Sequence, residues 1–463
     1  MTATESRTLH RRTGPANAAA LVCTAVVLWC LLWLFAHTNL TIRERGAQVA
    51  FLFSALAVFA VGVGLAWRLG FRASRRTVWF IVAAGIALRL SVAPVRPVTT
   101  VDIYRYLWEG RLVSAGVNPF SHRPDSPELA PLRDWVWPRV QFKDVPAAYP
   151  PVAQYAFALA DRIPADRVIT LKLIFAAFDI GTLLLLPGLL VRLRRPPVWV
   201  LLYAWHPLIV GEVVARGHLD SVGIFFLVLS ARLLPAPSRY GRALAGAALA
   251  ASILAKGYAI FTLPFFLIAA RPHRWWFAGG AAGFAAAAYL PFASAGKGLL
   301  EGMMLYGRYW HGHGSIFPAV ERALAAFTDD HAVAARGACA AALGVWVVLL
   351  LVRQSKSGER LAAFDSSFLA LAGFYLLSPA LYPWYLSWTV PFLCLRPRPV
   401  WLLLTGSVFM FYLHGLVPPQ GETWWVNAIQ YGAPLALAGA LALARAGGKA
   451  RARAEVALAS ANE

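Results

Sequence analysis

Residues 17–36 read NAAALVCTAVVLWCLLWLFA, an apolar run that no charged residue interrupts. A straight transmembrane helix needs about 20 residues of this kind. The run is longer than the core of a signal peptide, and no convincing cleavage pattern follows it, so we interpret it as a retained first span. Runs of the same character recur along the chain, and they decide its fold class.

The composition of the whole chain agrees with that interpretation. Of its 463 residues, 59% are apolar and 14% are charged, against about 45–50% and about 25% in an average soluble domain. These proportions exclude a disordered chain, a disulfide scaffold and an ordinary cytosolic enzyme. They predict an all-α, polytopic membrane protein.

The number of apolar runs predicts about fourteen transmembrane helices. Several runs are shorter than a straight span requires, and short or broken helices are tolerated where protein surrounds them. The runs lie near residues 17–36, 48–67, 77–94, 167–191, 197–212, 218–234, 242–255, 257–270, 275–293, 332–352, 361–377, 383–395, 400–416 and 424–444.

The distribution of charge predicts the orientation of these spans. The net charge is +21, but the basic residues fall in short clusters between apolar runs, so we expect a membrane topology signal and no nucleic-acid partner. With the N-terminus inside and a crossing at every run, each cytoplasmic connection is basic. A turn at Lys256-Gly257 is needed to keep Arg242 and Arg271 on the same side.

This topology divides the chain into segments that alternate between membrane and outer loop. Two long loops, 95–166 and 294–331, are predicted to be extracytoplasmic, and the basic tail is predicted to be disordered. The segments are an N-terminus with three spans (1–94), the first outer loop (95–166), a block of spans (167–293), the second outer loop (294–331), the C-terminal spans (332–446) and a cytoplasmic tail (447–463).

The first outer loop carries the most unusual chemistry. On a helix, Asp102, Arg105, Tyr106 and Glu109 share one face because of their spacing, and Gly116 and the following proline end such a helix. We expect the helix to lie at the outer membrane interface. Asp102 at its start is either a helix cap or a general base at the membrane edge, and the two roles are compatible.

The motifs of this loop and of later segments resemble a known superfamily. The string DIYRYLWEGR at 102–111 is followed by GVNPF at 116–120, AWHPL at 204–208, GHLD at 217–220 and PWYL at 383–386. Together they resemble the GT-C glycosyltransferases, in particular bacterial glycosyltransferase family 87 and the related α-mannosyltransferases. The similarity runs from about Arg89 to Pro391, and the set is more specific than any one piece.

The resemblance implies a GT-C fold and a polyprenyl-phosphate sugar donor, most simply a mannosyl donor. It also implies a lipid-linked or polysaccharide acceptor of the cell envelope and an active site on the extracytoplasmic side of a bacterial plasma membrane. Asp102 would be the general base of an inverting transfer. The family often has His before Pro-Trp-Tyr, where this chain has Tyr382, so any function of that imidazole is lost or lies elsewhere. We expect a monomer embedded in membrane lipids.

Basic residues near the outer face are candidates for binding the donor's phosphate. They are Arg308, His311, His218, Lys256 and Arg89. Further candidate substrate contacts are Arg105, Tyr106, Glu109, Arg111, Tyr149, Asp220, Tyr309, Trp310, His313, Tyr382 and Trp384.

Structural alternatives accompany these candidates. Glu212, Arg216, His218 and Asp220 could form a network that pins two helix ends, and Lys256 could simply snorkel to the interface. The aromatic residues around Arg308 could belong to an interfacial belt. Lys172 and Asp179 are expected to pair with other intramembrane groups.

Three further inferences limit the function. His311 and His313 lack further ligands at metal-site spacing, so no metal is expected, and we expect no other cofactor. No glycine-rich phosphate loop is visible, which disfavours a nucleotide-sugar donor. Two alternatives remain: the same enzyme with an arabinofuranosyl or glucosyl donor, and a lipid or solute transporter or flippase, although the crowding of charge at one leaflet and the lack of repeats disfavour transport.

Overall fold

The computed structural model describes residues 14–38, 44–97, 100–359, 361–414 and 424–461. Within these ranges the secondary structure is helical, apart from isolated bridges that join Gly312 and His313 to Ala380. The α-helices of the described chain are α1 (Pro15–His37), α2 (Arg45–Leu69), α3 (Arg75–Val92), α4 (Asp102–Ser114), α5 (Pro151–Arg162), α6 (Arg167–Arg192), α7 (Leu201–Ala204), α8 (Asp220–Leu233), α9 (Arg239–Lys256), α10 (Leu263–Ala269), α11 (Arg274–Tyr289), α12 (Glu301–Tyr309), α13 (Phe317–Leu324), α14 (His331–Lys356), α15 (Ala362–Leu377), α16 (Val390–Leu395), α17 (Pro399–Ser407) and α18 (Trp424–Ala461).

Several of these helices are long and apolar enough to cross a membrane, which makes the chain a multi-pass membrane protein. Six segments of the described chain meet that criterion, and a bent pair would make a seventh, so the count of fourteen spans is not confirmed. Three shorter apolar helices account for part of the difference. The six are Pro15–His37, Gly46–Arg72, Arg167–Arg192, Arg274–Tyr309, His331–Lys356 and Trp425–Ala446, and the shorter three are Tyr258–Ala269, Ala362–Leu377 and Pro399–Leu413.

The bent pair consists of Pro197–Ala204 and the π-helical segment Ile209–Ala215, which meet at 57°. Pro207 at the break has no N–H to continue the helix. The buried guanidinium of Arg89 donates instead to the carbonyls of Ala204 at 2.6 Å and Tyr203 at 3.3 Å. A side chain of α3 thereby pairs with the Ala204 carbonyl at the break and adds a second donor to the Tyr203 carbonyl, which also accepts from the His206 N–H at 3.4 Å.

Two ionisable residues of α6 have the intramembrane partners expected of them. Asp179 forms a fully buried ion pair with Arg89 and accepts a hydrogen bond from Tyr203. Lys172 is also fully buried. It donates to the backbone carbonyls of Val92, the last residue of α3, and of Val95 just beyond it. The pairing prediction is confirmed, and these contacts fasten α6 to α3.

Close helix packing surrounds α9, which lies against α8 and α11. A Cβ on Gly246 would lie 1.9 Å from the carbonyl oxygen of Phe277, so the approach of α11 requires glycine there. The helix ends at Lys256, and Gly257, with φ of 68°, turns the chain into the next short helix. The predicted turn is confirmed.

The first outer loop contains α4, two short 3₁₀ turns and α5. α4 packs along α5, and Leu107 and Trp108 are fully buried in protein. Leu107 and Trp108 therefore face the protein, and the place of α4 at the outer membrane interface stays a prediction. The predicted disorder of the C-terminal tail is wrong for residues up to Ala461, which continue α18.

Candidate active site

Asp102 is the first residue of α4, where the chain leaves the third apolar helix and its Pro-rich end. The residue in the capping position is Val101, and no side chain caps this helix, so the interpretation of Asp102 as a cap is wrong. The side chain of Asp102 is 36% exposed, whereas those of Glu212 and Asp220 are fully buried. Asp102 is therefore the carboxylate of this group that another molecule can reach.

Behind Asp102 lies the buried imidazole of His218. Its Nδ1 is 3.7 Å from Oδ2 of Asp102, and its Nε2 is 3.8 Å from Oε2 of Glu212. Within the described chain, neither ring nitrogen has a partner at hydrogen-bonding distance. The imidazole stands between two carboxylates, and a small movement would let it donate to either one.

The backbone at Gly217 makes this placement possible. Its φ is 77°, a conformation that suits glycine, and a Cβ there would lie 2.9 Å from Cγ of Lys172. Gly217 thus lets the chain turn sharply between the π-helical segment and α8. That turn directs His218 toward α4.

Glu212 is held from its other side by a network within the bundle. It forms an ion pair with Arg216 and accepts a hydrogen bond from the Tyr412 hydroxyl at 2.7 Å. The guanidinium of Arg216 lies 4.0 Å from the Tyr412 ring centroid and donates to Gln48 at 3.3 Å. Of the four-residue network that we considered, the ion pair of Glu212 and Arg216 is present and holds Glu212 behind His218. Asp220 pairs elsewhere, and the His218 ring nitrogens have no hydrogen-bond partner in the described chain.

Asp220 has two partners. Nζ of Lys256 lies 2.7 Å from its Oδ2, and Nε1 of Trp388 donates to its Oδ1 at 2.7 Å. The Lys256 ammonium also lies 5.2 Å from the Tyr385 ring centroid. Lys256 is thus a buried counter-ion, and the alternative that it snorkels to the interface is wrong.

An aromatic wall completes this side of the site. The rings of His218 and Trp384 stack with centroids 4.0 Å apart, and Tyr382 stacks on Trp384 at 4.9 Å. The hydroxyl of Tyr306 meets that of Tyr385. Residues of the second outer loop and of the Pro-Trp-Tyr motif therefore meet beside Asp102.

Backbone hydrogen bonds hold the second outer loop in this position. Gly312 donates to Pro379 at 2.9 Å, and Leu381 donates to Gly312 at 3.2 Å. His313 follows directly, with its ring centroid 6.1 Å from that of Tyr382. An imidazole from the second outer loop therefore lies beside Tyr382.

The environment of Asp102 changes its acidity. Burial raises the pKa of Asp102, the nearby Lys256 ammonium lowers it, and the charge of Asp220 raises it again, with a net rise. Burial and then the charge of Asp102 raise the pKa of Tyr149 and of Tyr382, so both phenols remain protonated and can donate hydrogen bonds. The site thus pairs a carboxylate of raised proton affinity with neutral donors.

Other candidates from α4 hold the outer loop together. Arg105 pairs with Glu109 at 2.6 Å and donates to the carbonyls of Phe142 and Val145. Gln154 donates to Glu109 at 2.7 Å. These contacts pair the charges of Arg105 and Glu109. The helix face that the sequence predicts for them therefore stabilises the packing of the outer loop.

Three more candidates make their contacts within the protein. Arg111 pairs with Asp134 at 3.3 Å. The ring of Tyr106 is fully buried and stacks on Phe157 at 4.8 Å, while its hydroxyl lies 3.5 Å from that of Tyr149. Arg89 lies at the broken helix with Asp179, so the structure does not bring it to Asp102.

The phosphate candidates of the second loop have a different setting. Arg308, Tyr309 and His311 are exposed, and Arg308 lies 5.4 Å from the Tyr309 ring centroid. Trp310 packs on Phe142 at 4.4 Å. Among the residues that the structure describes, no group of three His, Cys, Asp or Glu side chains could hold a metal ion.

Four residues outside the sequence-predicted set tie this site together. Tyr306 and Tyr385 contact each other, Trp388 donates to the candidate Asp220, and Tyr412 donates to Glu212. Tyr385 and Trp388 follow Trp384 at spacings of one and four, so the motif itself carried a signal. Nothing near Tyr412 in the sequence indicates its contact with Glu212.

Two family models match the chain. Residues 4–272 match the N-terminal domain of the MptA_B family of alpha-(1->6)-mannopyranosyltransferases, and residues 311–446 match the MptB C-terminal domain. No curated protein and no solved structure matches the chain. The matches confirm the resemblance to GT-C mannosyltransferases, and the site takes residues from both matched segments.

Proposed function

Because this chain belongs to the MptA_B family of α-(1→6)-mannopyranosyltransferases, we propose that it moves mannose from a polyprenyl phosphate to the 6-hydroxyl of an acceptor mannose. The acceptor is a cell-envelope glycolipid or polysaccharide. The chain is a membrane mannosyltransferase, and membership in this family leaves the transporter or flippase alternative without support.

One observation carries the proposed mechanism: the accessible carboxylate of Asp102 stands in front of a buried imidazole and two buried, paired carboxylates. A general base must reach the substrate, and Asp102 is the member of this group that can. Its raised pKa improves it as a proton acceptor.

The reaction follows from this arrangement. The acceptor oxygen attacks the anomeric carbon of the donor, the bond from that carbon to the phosphate oxygen breaks, and the acceptor's proton passes to Asp102. The electron pair leaves with the polyprenyl phosphate. Direct displacement inverts the anomeric centre, so an α product requires a β-linked donor.

His218 acts in this mechanism as a positioning residue. As a neutral imidazole it donates one N–H, and its position between Asp102 and Glu212 lets it stabilise the ionised form of Asp102. Burial between carboxylates makes it a poor phosphate ligand, so we assign it to the base.

The leaving phosphate is assigned to the second outer loop. Arg308 and His311 are exposed on the segment whose Tyr306 reaches Tyr385. A guanidinium suits a phosphate because it can donate two parallel hydrogen bonds. Lys256 is already paired with Asp220, so it stabilises the leaving phosphate through its electrostatic field and not by direct contact. The site faces the extracytoplasmic side of a bacterial plasma membrane in this proposal.

The test of the base is Asp102→Asn in purified protein, supplied with polyprenyl-phosphate mannose and an α-mannosyl acceptor. We expect turnover to fall by about 10²–10⁴, because an amide cannot accept the proton. Asp144→Asn, at an exposed position of the same loop, is the control and should retain activity. Near-normal turnover by folded Asp102→Asn would remove Asp102 from the mechanism.

The phosphate assignment has its own test. Arg308→Gln should raise the donor KM or slow transfer by about tenfold or more, because a charged hydrogen bond is lost. Arg322→Gln, an exposed arginine of α13, is the matched control. If Arg308→Gln and His311→Asn both behave like the control, the phosphate binds elsewhere.

The donor sugar is tested in the same assay. Mannosyl, glucosyl and arabinofuranosyl polyprenyl phosphates are compared at equal concentration. We expect transfer from the mannosyl donor, and preference for either other sugar would contradict the proposal.

A further inference from the structure

A pocket of about 650 Å³ lies far from Asp102. It is lined by residues at the start of α3, at the end of α6 and on α8, among them Arg75, Arg192 and Arg232. Asp102 follows the other end of α3. Because an α-helix rises about 1.5 Å per residue, the 18 residues of α3 separate the two sites by about 27 Å.

The charge of this pocket is one-sided. Among the described residues that line it, three are arginines and none is acidic. Arg192 donates to the carbonyl of Pro235 at 2.9 Å, which uses one of the five N–H groups of its guanidinium. Arg75 also stands in the first turn of α3, where the helix dipole is already positive. Clustered cations in a pocket favour an anion.

The apolar part of the lining indicates what the anion belongs to. Trp79 and Val191 line the pocket and are 43% and 61% exposed. Val191 belongs to a helix that is long and apolar enough to cross a membrane, and Trp79 belongs to α3, which packs against it. We therefore expect these exposed surfaces to face acyl chains. The Arg232 side chain packs against Gly188, since its Nε would be in ordinary contact, at 3.4 Å, with a Cβ at that position.

We propose that this pocket binds the phosphate headgroup of an anionic phospholipid, with the acyl chains lying along Trp79 and Val191. Arginine forks bind phosphate oxygens in pairs, and basic pockets between transmembrane helices are suited to such headgroups. The site is independent of the mannosyl donor, because it lies at the opposite ends of α3 and α6.

The experiment uses the full-length protein in a zwitterionic detergent. Phosphatidylglycerol, phosphatidylcholine and inorganic phosphate are added separately, and thermal unfolding and native mass spectrometry are recorded. We expect phosphatidylglycerol to raise the Tm by about 3 °C or more at saturation and to remain bound in the spectrum. Phosphatidylcholine and inorganic phosphate should do neither.

Two variants locate the site. Arg192→Gln and Arg232→Gln should each weaken phosphatidylglycerol binding by about tenfold. Arg353→Gln, in the last turn of α14, is the matched control and should bind like the parent protein. An equal response to inorganic phosphate would show a soluble anion site and overturn the lipid assignment. Unchanged lipid binding in both pocket variants would overturn the pocket itself.

Discussion

His218 touches two carboxylates that differ in exposure, and this makes its contribution measurable. His218→Phe, which keeps a ring but carries no N–H, should slow turnover by about tenfold, less than the 10²–10⁴ that a general base itself contributes. Loss of the imidazole N–H destabilises ionised Asp102 and raises its pKa further, so the acidic limb of the pH–rate profile should move to higher pH.

The control for His218→Phe is His122→Phe in the first outer loop. A purely structural role for His218 would lower the amount of active enzyme without moving the pH profile. An unshifted profile in a folded His218→Phe protein would therefore contradict its assignment as a positioning residue.

Asp102 also has a consequence for stability. Its pKa is raised in the folded protein, so its charge lowers stability above that pKa, and this cost shrinks as the pH falls from the raised pKa toward the pKa of the unfolded chain. Asp102→Asn should therefore unfold at an equal or higher temperature than the parent protein at about pH 7.5, with the difference shrinking toward about pH 4.5. Thermal unfolding of both proteins at the two pH values checks this, and a marked loss of Tm at neutral pH would contradict it.

At the scale of single residues, the sequence could predict the site only in part. It identified Asp102 and the GHLD and PWYL motifs, whose members contact one another. It could not separate substrate contacts from loop packing, because the spacing of Arg105 and Glu109 is that of an ordinary ion pair on a helix. Their role in packing is evident only from their partners, which are Gln154 and two backbone carbonyls. No local sequence pattern indicates these contacts.

Among the helices, the contact of α9 with α11 is the most sensitive to side-chain size. Gly246→Ala should destabilise the protein by about 1–3 kcal/mol, because the added methyl meets the Phe277 carbonyl and the helices must separate. Gly283→Ala on α11 is the matched control, since nothing lies within 4 Å of its added Cβ. Thermal unfolding in detergent compares the two variants, and equal Tm values would mean that α9 and α11 are not closely packed.

Helix boundaries were predictable where a single residue sets them. Gly257 turns the chain after α9, and Pro207 accompanies the break before the π-helical segment. The burial of α4 was not predictable from its own pattern, since α5, which covers it, lies nearly forty residues later in the chain. Polar and aromatic residues along α4 are typical of an interfacial helix and of a covered one alike.

For the whole molecule, the main expectation still to be measured is its orientation. Single cysteines at Ser126 and Ser294 should react with an impermeant reagent on intact cells, and one at Ser357 should not, because the basic connections stay inside. The background should lack the exposed Cys23 and Cys30. Labelling of the Ser357 variant from outside would contradict the topology.

The class of the molecule was easier to predict than its number of spans. Composition and charge give a multi-pass helical protein, but short segments such as Tyr258–Ala269 cannot be counted by length. Long-range pairs, such as Asp220 with Trp388 across 168 positions, decide which short segments pack together. The sequence contains both residues of such a pair but does not indicate that they contact each other.

The broken segment before α8 bears on how the chain enters the membrane. Its carbonyls at Tyr203 and Ala204 accept hydrogen bonds from Arg89, and Arg89 is neutralised by Asp179. Both partners precede the segment in the sequence, so they have already been synthesised when it leaves the ribosome. The helices that carry Arg89 and Asp179 are therefore available when the broken segment enters the membrane. The order of synthesis matches the order in which these contacts form.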